Sequence, residues 1–125
     1  MSEKKILVIE DNELNLKLVH TLLELGGFLV LEATNAEKGI MIAKQELPDL
    51  ILMDIQLPGL DGLSAAKAIK SDPRTAHIPI IAVTSFAMES DEEKAQTAGC
   101  TGYISKPINT RTFVNDVIRF LNEAQ

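Results

Sequence analysis

Five short runs of apolar residues divide the chain at regular intervals. They cover Ile6–Ile9, Phe28–Leu31, Leu50–Met53, Ile78–Val83 and Tyr103–Ile104. Each run is continuously apolar and does not alternate with polar residues, which is typical of strands that are covered by helices on both faces. The pattern therefore predicts five buried strands in a parallel sheet.

The segments between these runs show helical spacing. Three stripes recur every three or four positions: Leu14, Leu18, Leu22 and Leu25; Ile40, Ala43 and Leu47; and Phe113, Val117 and Leu121. Two further helices are predicted over Gly62–Lys70 and Ala87–Ala98. Such stripes normally face a core, so we expect each helix to pack its stripe against the sheet.

Candidate helix ends support this division. Gly26 and Gly99 are positioned to end helices in the left-handed conformation, and Asn35 and either Asn109 or Thr110 are candidate N-caps. Five strand–helix units of about 25 residues each, joined by the right-handed crossovers usual for such units, predict an α/β fold. We expect a flavodoxin-like, doubly wound (βα)5 sandwich with strand order 2-1-3-4-5, forming one domain over residues 1–125 with no output domain.

Composition narrows the classes of function. The chain has 125 residues, 46% of them hydrophobic, and 12 basic against 18 acidic residues give a net charge of −6. This is enough apolar material for a core, and the acidic balance argues against direct nucleic-acid binding. No stretch is apolar enough to predict a membrane span. Cys100 is the one cysteine, so no intrachain disulfide forms and a cytoplasmic location is expected.

The polar residues that follow the strands carry the candidate chemistry. Glu10 and Asp11 follow the first strand, Asp54 the third, Thr84 the fourth and Lys106 the fifth. Ligands of open parallel sheets bind beyond the carboxyl ends of the strands, where the strand order reverses. Three carboxylates converging there repel one another, so we expect a compensating cation: Mg²⁺, or Mn²⁺ in its place, together with Lys106.

This set of groups suits phosphoryl transfer. The reaction needs a nucleophile, a metal that neutralises the phosphoryl oxygens and donors that hold the transferred group. Asp54 is the expected nucleophile because it stands alone on the central strand, whereas Glu10 and Asp11 form a pair suited to the metal. The Thr84 hydroxyl is an additional donor.

At this point the sequence resembles the receiver domain of two-component response regulators, over essentially the whole chain. Four stretches, each around a strand end, carry the resemblance: Ile6–Asn12, Leu50–Gly62, Pro79–Ser85 and Gly102–Ile108. The resemblance implies that Asp54 accepts a phosphoryl group from a phosphohistidine on a sensor histidine kinase or a histidine phosphotransfer protein.

The resemblance also implies roles for the neighbouring groups. Asp11 and Asp54 would ligate Mg²⁺ directly, the backbone carbonyl of Gln56 would be a third ligand, and Glu10 would act through water. Thr84 and Lys106 would contact phosphoryl oxygens.

Tyr103 would be the switch aromatic, which turns inward when Thr84 moves toward the phosphoryl group. Lys106–Pro107 would be a cis peptide. The fourth helix, fifth strand and fifth helix would form the face that binds a downstream effector protein, with Val114 and Ile118 beside Tyr103.

A few positions depart from the common receiver pattern. Glu10 stands where many receivers have Asp, and Ser85 replaces a common Ala, while Gln56 and Phe86 flank the predicted phosphate pocket. The longer side chain of Glu10 still fits a metal role through water, whereas we expect Ser85, Gln56 and Phe86 to tune the lifetime of the phosphoryl group by controlling access of water. The stretches Glu10–Asn15 and Phe86–Met88 further resemble the DivK-type single-domain regulators of bacterial cell-cycle control.

Three functions are compatible with these sequence features. The first is a phosphorylation-controlled interaction module, a monomer or weak phosphorylation-dependent dimer that is not an enzyme acting on an external substrate. A phosphatase of the haloacid-dehalogenase type also forms an aspartyl phosphate, but it needs a second Asp where Gln56 stands. A flavodoxin needs a hydroxyl-rich phosphate loop, and the acidic stretch Glu10–Glu13 would repel the phosphate instead.

Overall fold

The computed structural model describes residues 3–55, 62–84 and 89–123. Along this part of the chain, strands and helices alternate in ten elements: β1 (Lys5–Ile9), α1 (Glu13–Leu25), β2 (Leu29–Ala33), α2 (Ala36–Glu46), β3 (Leu50–Asp54), α3 (Gly62–Ser71), β4 (Ile80–Thr84), α4 (Glu89–Thr97), β5 (Gly102–Ser105) and α5 (Phe113–Glu123). The predicted alternation of strand and helix is confirmed.

The five strands form one parallel sheet in the order β2-β1-β3-β4-β5. The central strands β3 and β4 are buried at every position, and both are apolar up to their last residues, Asp54 and Thr84. Strand order reverses between β1 and β3, so a crevice opens between their carboxyl ends. The predicted flavodoxin-like order 2-1-3-4-5 is therefore confirmed.

Two apolar clusters cover the two faces of the sheet. On one face, small residues of α2 and α3 such as Ala43 and Ala65 pack against Ile51 and Met53. On the other face, α1 and α5 contribute larger side chains such as Leu23 and Phe113. Burial of apolar surface on both faces holds the strand ends, and the groups that follow them, in fixed positions.

The prediction that the leucine stripe of α1 packs against the sheet is wrong. The buried residues of α1 are Leu16, Val19 and Leu23, whereas Leu14 and Leu25 are 79% and 81% exposed. Both sets have helical spacing. The helix packs the set that includes Val19 against the sheet, which leaves Leu14, Leu18 and Leu25 exposed, while Leu22 is partly buried.

Two other local predictions also need correction. The left-handed glycine after α1 is Gly27, with φ +87°, whereas Gly26 has φ −81°. In α2 the stripe residue Leu47 is half-exposed and ends the helix with φ +47°, while Gly39 is buried against Ile9. The Gly99 prediction, with φ +100°, and the Asn35 N-cap are confirmed.

Candidate functional site

Backbone hydrogen bonds place the polar residues at one edge of the sheet. The Glu10 amide donates to the Ala33 carbonyl (3.0 Å), which continues the β1–β2 ladder one residue beyond the strand. The Lys106 amide donates to the Thr84 carbonyl (2.7 Å), which holds the residue after β5 beside the end of β4. The predicted site residues after β1, β3, β4 and β5 therefore share one edge of the sheet.

Lys106 joins the two buried carboxylates. Its Nζ lies 2.8 Å from Oε1 of Glu10 and 3.0 Å from Oδ2 of Asp54. Glu10 is 5% exposed and Asp54 is 6% exposed. Two carboxylates in such a setting carry a large desolvation cost, and the shared ammonium compensates part of it.

The electrostatics of the pair follow from burial and proximity. Burial and the hydrogen bond to Asp54 raise the pKa of Glu10 to about 7, although Lys106 acts in the opposite direction. Burial alone would lower the pKa of Lys106, but its hydrogen bonds to Glu10 and Asp54 outweigh that effect and raise it. Without a metal, the proton that Glu10 holds below about pH 7 therefore offsets negative charge that Lys106 alone does not balance.

The donor set fits a hard divalent cation. Glu10, Asp11 and Asp54 each offer a carboxylate oxygen, and these oxygens lie within 4.8 Å of one another. Oε2 of Glu10 is buried and accepts no hydrogen bond from the described residues. Asp11 is exposed, so one side of the cluster is open to water. Mg²⁺ usually binds one or two carboxylates and keeps several of its waters. A cluster with a buried side and a side open to water fits this mode of binding.

Thr84 and Tyr103 lie on the adjacent strands β4 and β5. Thr84 ends β4 and is fully buried. Tyr103 pairs in register with Ala82 and is half-buried against the cluster that includes Ala95. The Lys106–Pro107 peptide bond is cis, as the resemblance implied.

Gly62 packs directly against the end of the central strand. A Cβ atom at this position would lie 2.6 Å from the carbonyl oxygen of Asp54 and 2.5 Å from the Cα of Ile55. These are backbone atoms, which cannot move aside as the end of a flexible side chain does. The absence of a side chain at Gly62 therefore lets α3 begin close to Asp54.

Three predicted residues lie outside the described part of the chain. They are Gln56, expected to offer a carbonyl to the metal, and Ser85 and Phe86, expected beside the phosphate pocket.

Sequence reasoning missed one residue beside the site. Asn15, in the first turn of α1, is half-buried and lines a small cavity together with Glu10, Asp54 and Lys106. The Asn12 side chain caps this helix by accepting a hydrogen bond from the backbone N–H of Asn15 (3.0 Å). The signal was the spacing itself, because an asparagine one turn after the acidic pair falls on the side of α1 nearest the site.

Comparison with known proteins places the site in a family. Residues 6–118 match the model of the response regulator receiver domain. The polar-differentiation response regulator DivK of Brucella anthropi is 45% identical over 121 residues, which cover 97% of this chain and 98% of that relative. DivK of Brucella abortus is 44% identical over the same shares.

Solved structures agree with this match. A CheY-like receiver domain protein from Methanospirillum hungatei has a TM-score of 0.90 at 28% identity, covering 98% of this chain and 97% of its own. The receiver domain of a sensor histidine kinase from Pseudomonas aeruginosa, solved with a magnesium ion in its active-site cleft, has a TM-score of 0.89 at 30% identity. That comparison covers 97% of this chain and 99% of the other.

The chain belongs to the response regulator receiver domain family. Among its relatives it is similar to the DivK regulators over nearly its full length. This family, and not the haloacid-dehalogenase phosphatases or the flavodoxins, accounts for both the fold and the acidic cluster. Among the described residues, no helix has the length and apolar character needed to cross a membrane.

Proposed function

We propose that the chain is a phosphoacceptor switch of a two-component phosphorelay, with Asp54 as the acceptor. The observation that carries the proposal is the position of Asp54, a buried carboxylate at the end of the central strand with the Lys106 ammonium 3.0 Å away. Carboxylates are known nucleophiles in phosphoryl transfer, and a fixed ammonium stabilises the charge of the transferred group.

The transfer is a single displacement at phosphorus. A carboxylate oxygen of Asp54 attacks the phosphorus of a phosphohistidine, the P–N bond breaks, and the imidazole leaves with the bonding electron pair. Lys106 and the Thr84 hydroxyl donate to the phosphoryl oxygens and keep the group in line. Water later hydrolyses the aspartyl phosphate, so the chain resets itself and does not act as an enzyme on external substrates.

A divalent cation completes the charge balance. Glu10, Asp11, Asp54 and the carbonyl of Gln56 would hold Mg²⁺, or Mn²⁺ in its place, with Glu10 acting through water. When bound, the cation neutralises negative charge on the phosphoryl oxygens. Asp11, which is exposed, leaves the cluster open on the side from which a donor approaches.

The phosphodonor docks on the exposed end of α1. Leu14 is 79% exposed one turn after the acidic pair, and Leu18, 38% exposed, lies one turn further along the same face. A phosphohistidine that reaches Asp54 has to pass Leu14 and Leu18, so the donor protein covers these two leucines. We infer that the exposed end of α1 binds an apolar helical face of a histidine kinase or histidine phosphotransfer protein.

The output is a change of shape that another protein reads. The new charge on Asp54 attracts Thr84, and Tyr103 follows into the space that Thr84 leaves. The surface formed by α4, β5 and α5 then binds a downstream effector, or a second copy of the chain in a weak dimer. We place this exchange in the cytoplasm, without direct contact with nucleic acid.

A small-molecule phosphodonor tests the acceptor directly. With acetyl phosphate and Mg²⁺, we expect one phosphoryl group to appear on the wild type, by intact-mass spectrometry, and none on Asp54→Asn. Asp116→Asn makes the same chemical change away from the cluster and should behave as the wild type. Equal labelling of wild type and Asp54→Asn would overturn the assignment.

Affinity capture identifies the output. The protein activated with beryllofluoride and Mg²⁺ should retain effector proteins that Asp54→Asn, treated in the same way, does not retain. Capture of the same set by both forms would contradict a phosphorylation-dependent output.

A further inference from the structure

A cavity of about 20 Å³ lies behind the acidic cluster, between the sheet and helices α1 and α5. Its polar lining comes from Glu10, Asn15, Asp54 and Lys106, and the rest of the wall is apolar, including Val19 and Phe113. A cavity needs about 10–15 Å³ of such space to hold one water molecule, which is stable there only with two to four polar partners. The cavity therefore has the right size for one water.

Glu10, one of the residues that line the cavity, has an acceptor without a donor. Oε1 of Glu10 accepts from Lys106, but Oε2 is buried and has no donor among the described residues. Leaving a buried carboxylate oxygen without a donor costs more than leaving a neutral group, since charged groups lose more solvation on burial. An ionised Glu10 therefore requires a donor at Oε2.

Asn15, which also lines the cavity, has a side chain that can supply one through a water molecule. The Asn15 amide carries two N–H donors and one acceptor, and within the described part of the chain it makes no side-chain hydrogen bond. We propose that one buried water molecule bridges Oε2 of Glu10 to the Asn15 side chain. Asn15 is then a positioning residue, which holds the Glu10 carboxylate in the orientation that the metal site uses.

This inference rests on the proposed function only where it concerns the metal. The water bridge itself is expected in the folded protein without metal or phosphorylation. Outer groups that orient metal-binding side chains typically change metal affinity by roughly 10–100-fold when removed. Asn15→Leu keeps the branched shape and the number of side-chain heavy atoms and removes both hydrogen-bonding groups, although its methyl groups make it somewhat larger. Asn15→Ser keeps a hydroxyl that is a donor and an acceptor, so it tests rescue.

The first measurement is a crystal structure of the metal-free wild type and of Asn15→Leu at a resolution that shows ordered water. We expect one water within hydrogen-bonding distance of Oε2 of Glu10 and of the Asn15 amide in the wild type, and a dry cavity in Asn15→Leu. A dry wild-type cavity, or a water that stays in Asn15→Leu, would overturn the proposal.

The second measurement is a calorimetric titration with Mg²⁺ alone. We expect Asn15→Leu to bind about 10-fold more weakly than the wild type, with Asn15→Ser between them. The matched control is Thr21→Val, which removes a polar group from an exposed position on the same helix and should bind as the wild type. Leucine is a better helix former than asparagine, so weaker binding by Asn15→Leu would not reflect a loss of α1.

The two failures are distinguishable. Equal Mg²⁺ affinity of the wild type and Asn15→Leu would overturn the positioning role, even if Asp54 accepts a phosphoryl group. A wild type that binds no Mg²⁺ and accepts no phosphoryl group would contradict the proposed function, while the crystal structures would still decide whether the bridge exists. If Asn15→Leu fails to fold, the comparison of Asn15→Ser with Thr21→Val decides the role.

Discussion

Lys106 and Asp54 are separated by 52 residues along the chain, yet the Lys106 ammonium donates a hydrogen bond to Oδ2 of Asp54 at 3.0 Å. Asp54 is the last residue of β3 and Lys106 follows β5, and the parallel register of β3, β4 and β5 brings these two strand ends together. The same ammonium also reaches Glu10, so one cation serves two carboxylates. Several measurable consequences depend on this arrangement.

Replacing Lys106 by methionine should destabilise the metal-free protein. The change leaves Glu10 and Asp54 buried without their shared cation, which typically costs about 3–5 kcal/mol for a buried pair. Urea unfolding near pH 8 would measure the loss. Lys106→Arg, which keeps the charge, should lose clearly less, and an unfolding free energy of Lys106→Met equal to that of the wild type would show that the ion pairs contribute nothing.

The stability of the metal-free protein should fall as the pH rises through about 7. The pKa of Glu10 is raised from 4.5 to about 7 in the folded chain, mainly by burial. The folded state therefore holds a proton that the unfolded state has lost, and its stabilising contribution is complete below about 4.5 and disappears above about 7.

The size of this effect is on the order of 1–3 kcal/mol between pH 5 and pH 8. Urea unfolding in EDTA at several pH values would measure it. Glu10→Gln carries no proton to lose at this position and should show a flatter profile. A wild-type profile as flat as that of Glu10→Gln would contradict the raised pKa.

Magnesium should bind more tightly as the pH rises over the same range. A protonated Glu10 has lost the negative charge that attracts the cation, so the metal competes with the proton. Titration with Mg²⁺ at pH 6 and pH 8 would give the two affinities. An affinity that does not change between these pH values would show that Glu10 is already ionised at pH 6.

Removing Mg²⁺ should also abolish labelling of Asp54 by acetyl phosphate.

Leu14 and Leu25 offer a matched test of the docking surface. They are almost equally exposed on the same row of leucines, but Leu14 lies at the acidic end of α1, about 16 Å from Leu25 along a helix that rises 1.5 Å per residue. Leu14→Ala should slow phosphoryl transfer from a phosphorylated donor protein at least several-fold, whereas Leu25→Ala should not.

Labelling of both variants by acetyl phosphate should equal that of the wild type, because the small donor needs no docking surface. The stability of each variant should change by less than about 0.5 kcal/mol, as expected for exposed positions. Equal rates of transfer from the donor protein to both variants would place the docking surface elsewhere.

Gly62→Ala should destabilise the protein and impair Asp54. The new Cβ would lie 2.6 Å from the Asp54 carbonyl oxygen, so either α3 or the end of β3 has to shift, and overpacking of this kind costs about 1–3 kcal/mol. Thermal unfolding and acetyl phosphate labelling measure the two effects. Lys67→Ala, at an exposed position of the same helix, is the control and should change neither.

Much of the fold could be predicted from local patterns. The continuous apolar runs predicted the positions of all five strands, because a strand that is covered on both faces is apolar. The prediction that all five are buried is confirmed for β1, β3 and β4 but wrong for the edge strands β2 and β5, which are partly exposed. The helix α5 was equally clear, since Phe113, Val117 and Leu121 are all buried. The candidate site followed from the polar residues at the strand ends, because a parallel sheet collects these ends at one edge.

Helix α1 marks the limit of such reasoning. It contains two apolar sets with helical spacing, and the row of Leu14, Leu18, Leu22 and Leu25 was the more regular one. Spacing alone cannot say which set faces the sheet. The choice depends on how the whole helix packs against β1 and α5, and that packing buries Leu16, Val19 and Leu23.

The sequence by itself determined the order of strands and helices and the acidic, lysine-containing composition of the site, because both follow from residue type at regular positions. Only the tertiary structure decided that Lys106 bridges Glu10 as well as Asp54, that Glu10 and Asn15 line one cavity, and that Leu14 and Leu25 remain exposed. These are relationships between residues distant along the chain. They depend on distances of a few ångströms, which arise only when the sheet and both helical layers have packed.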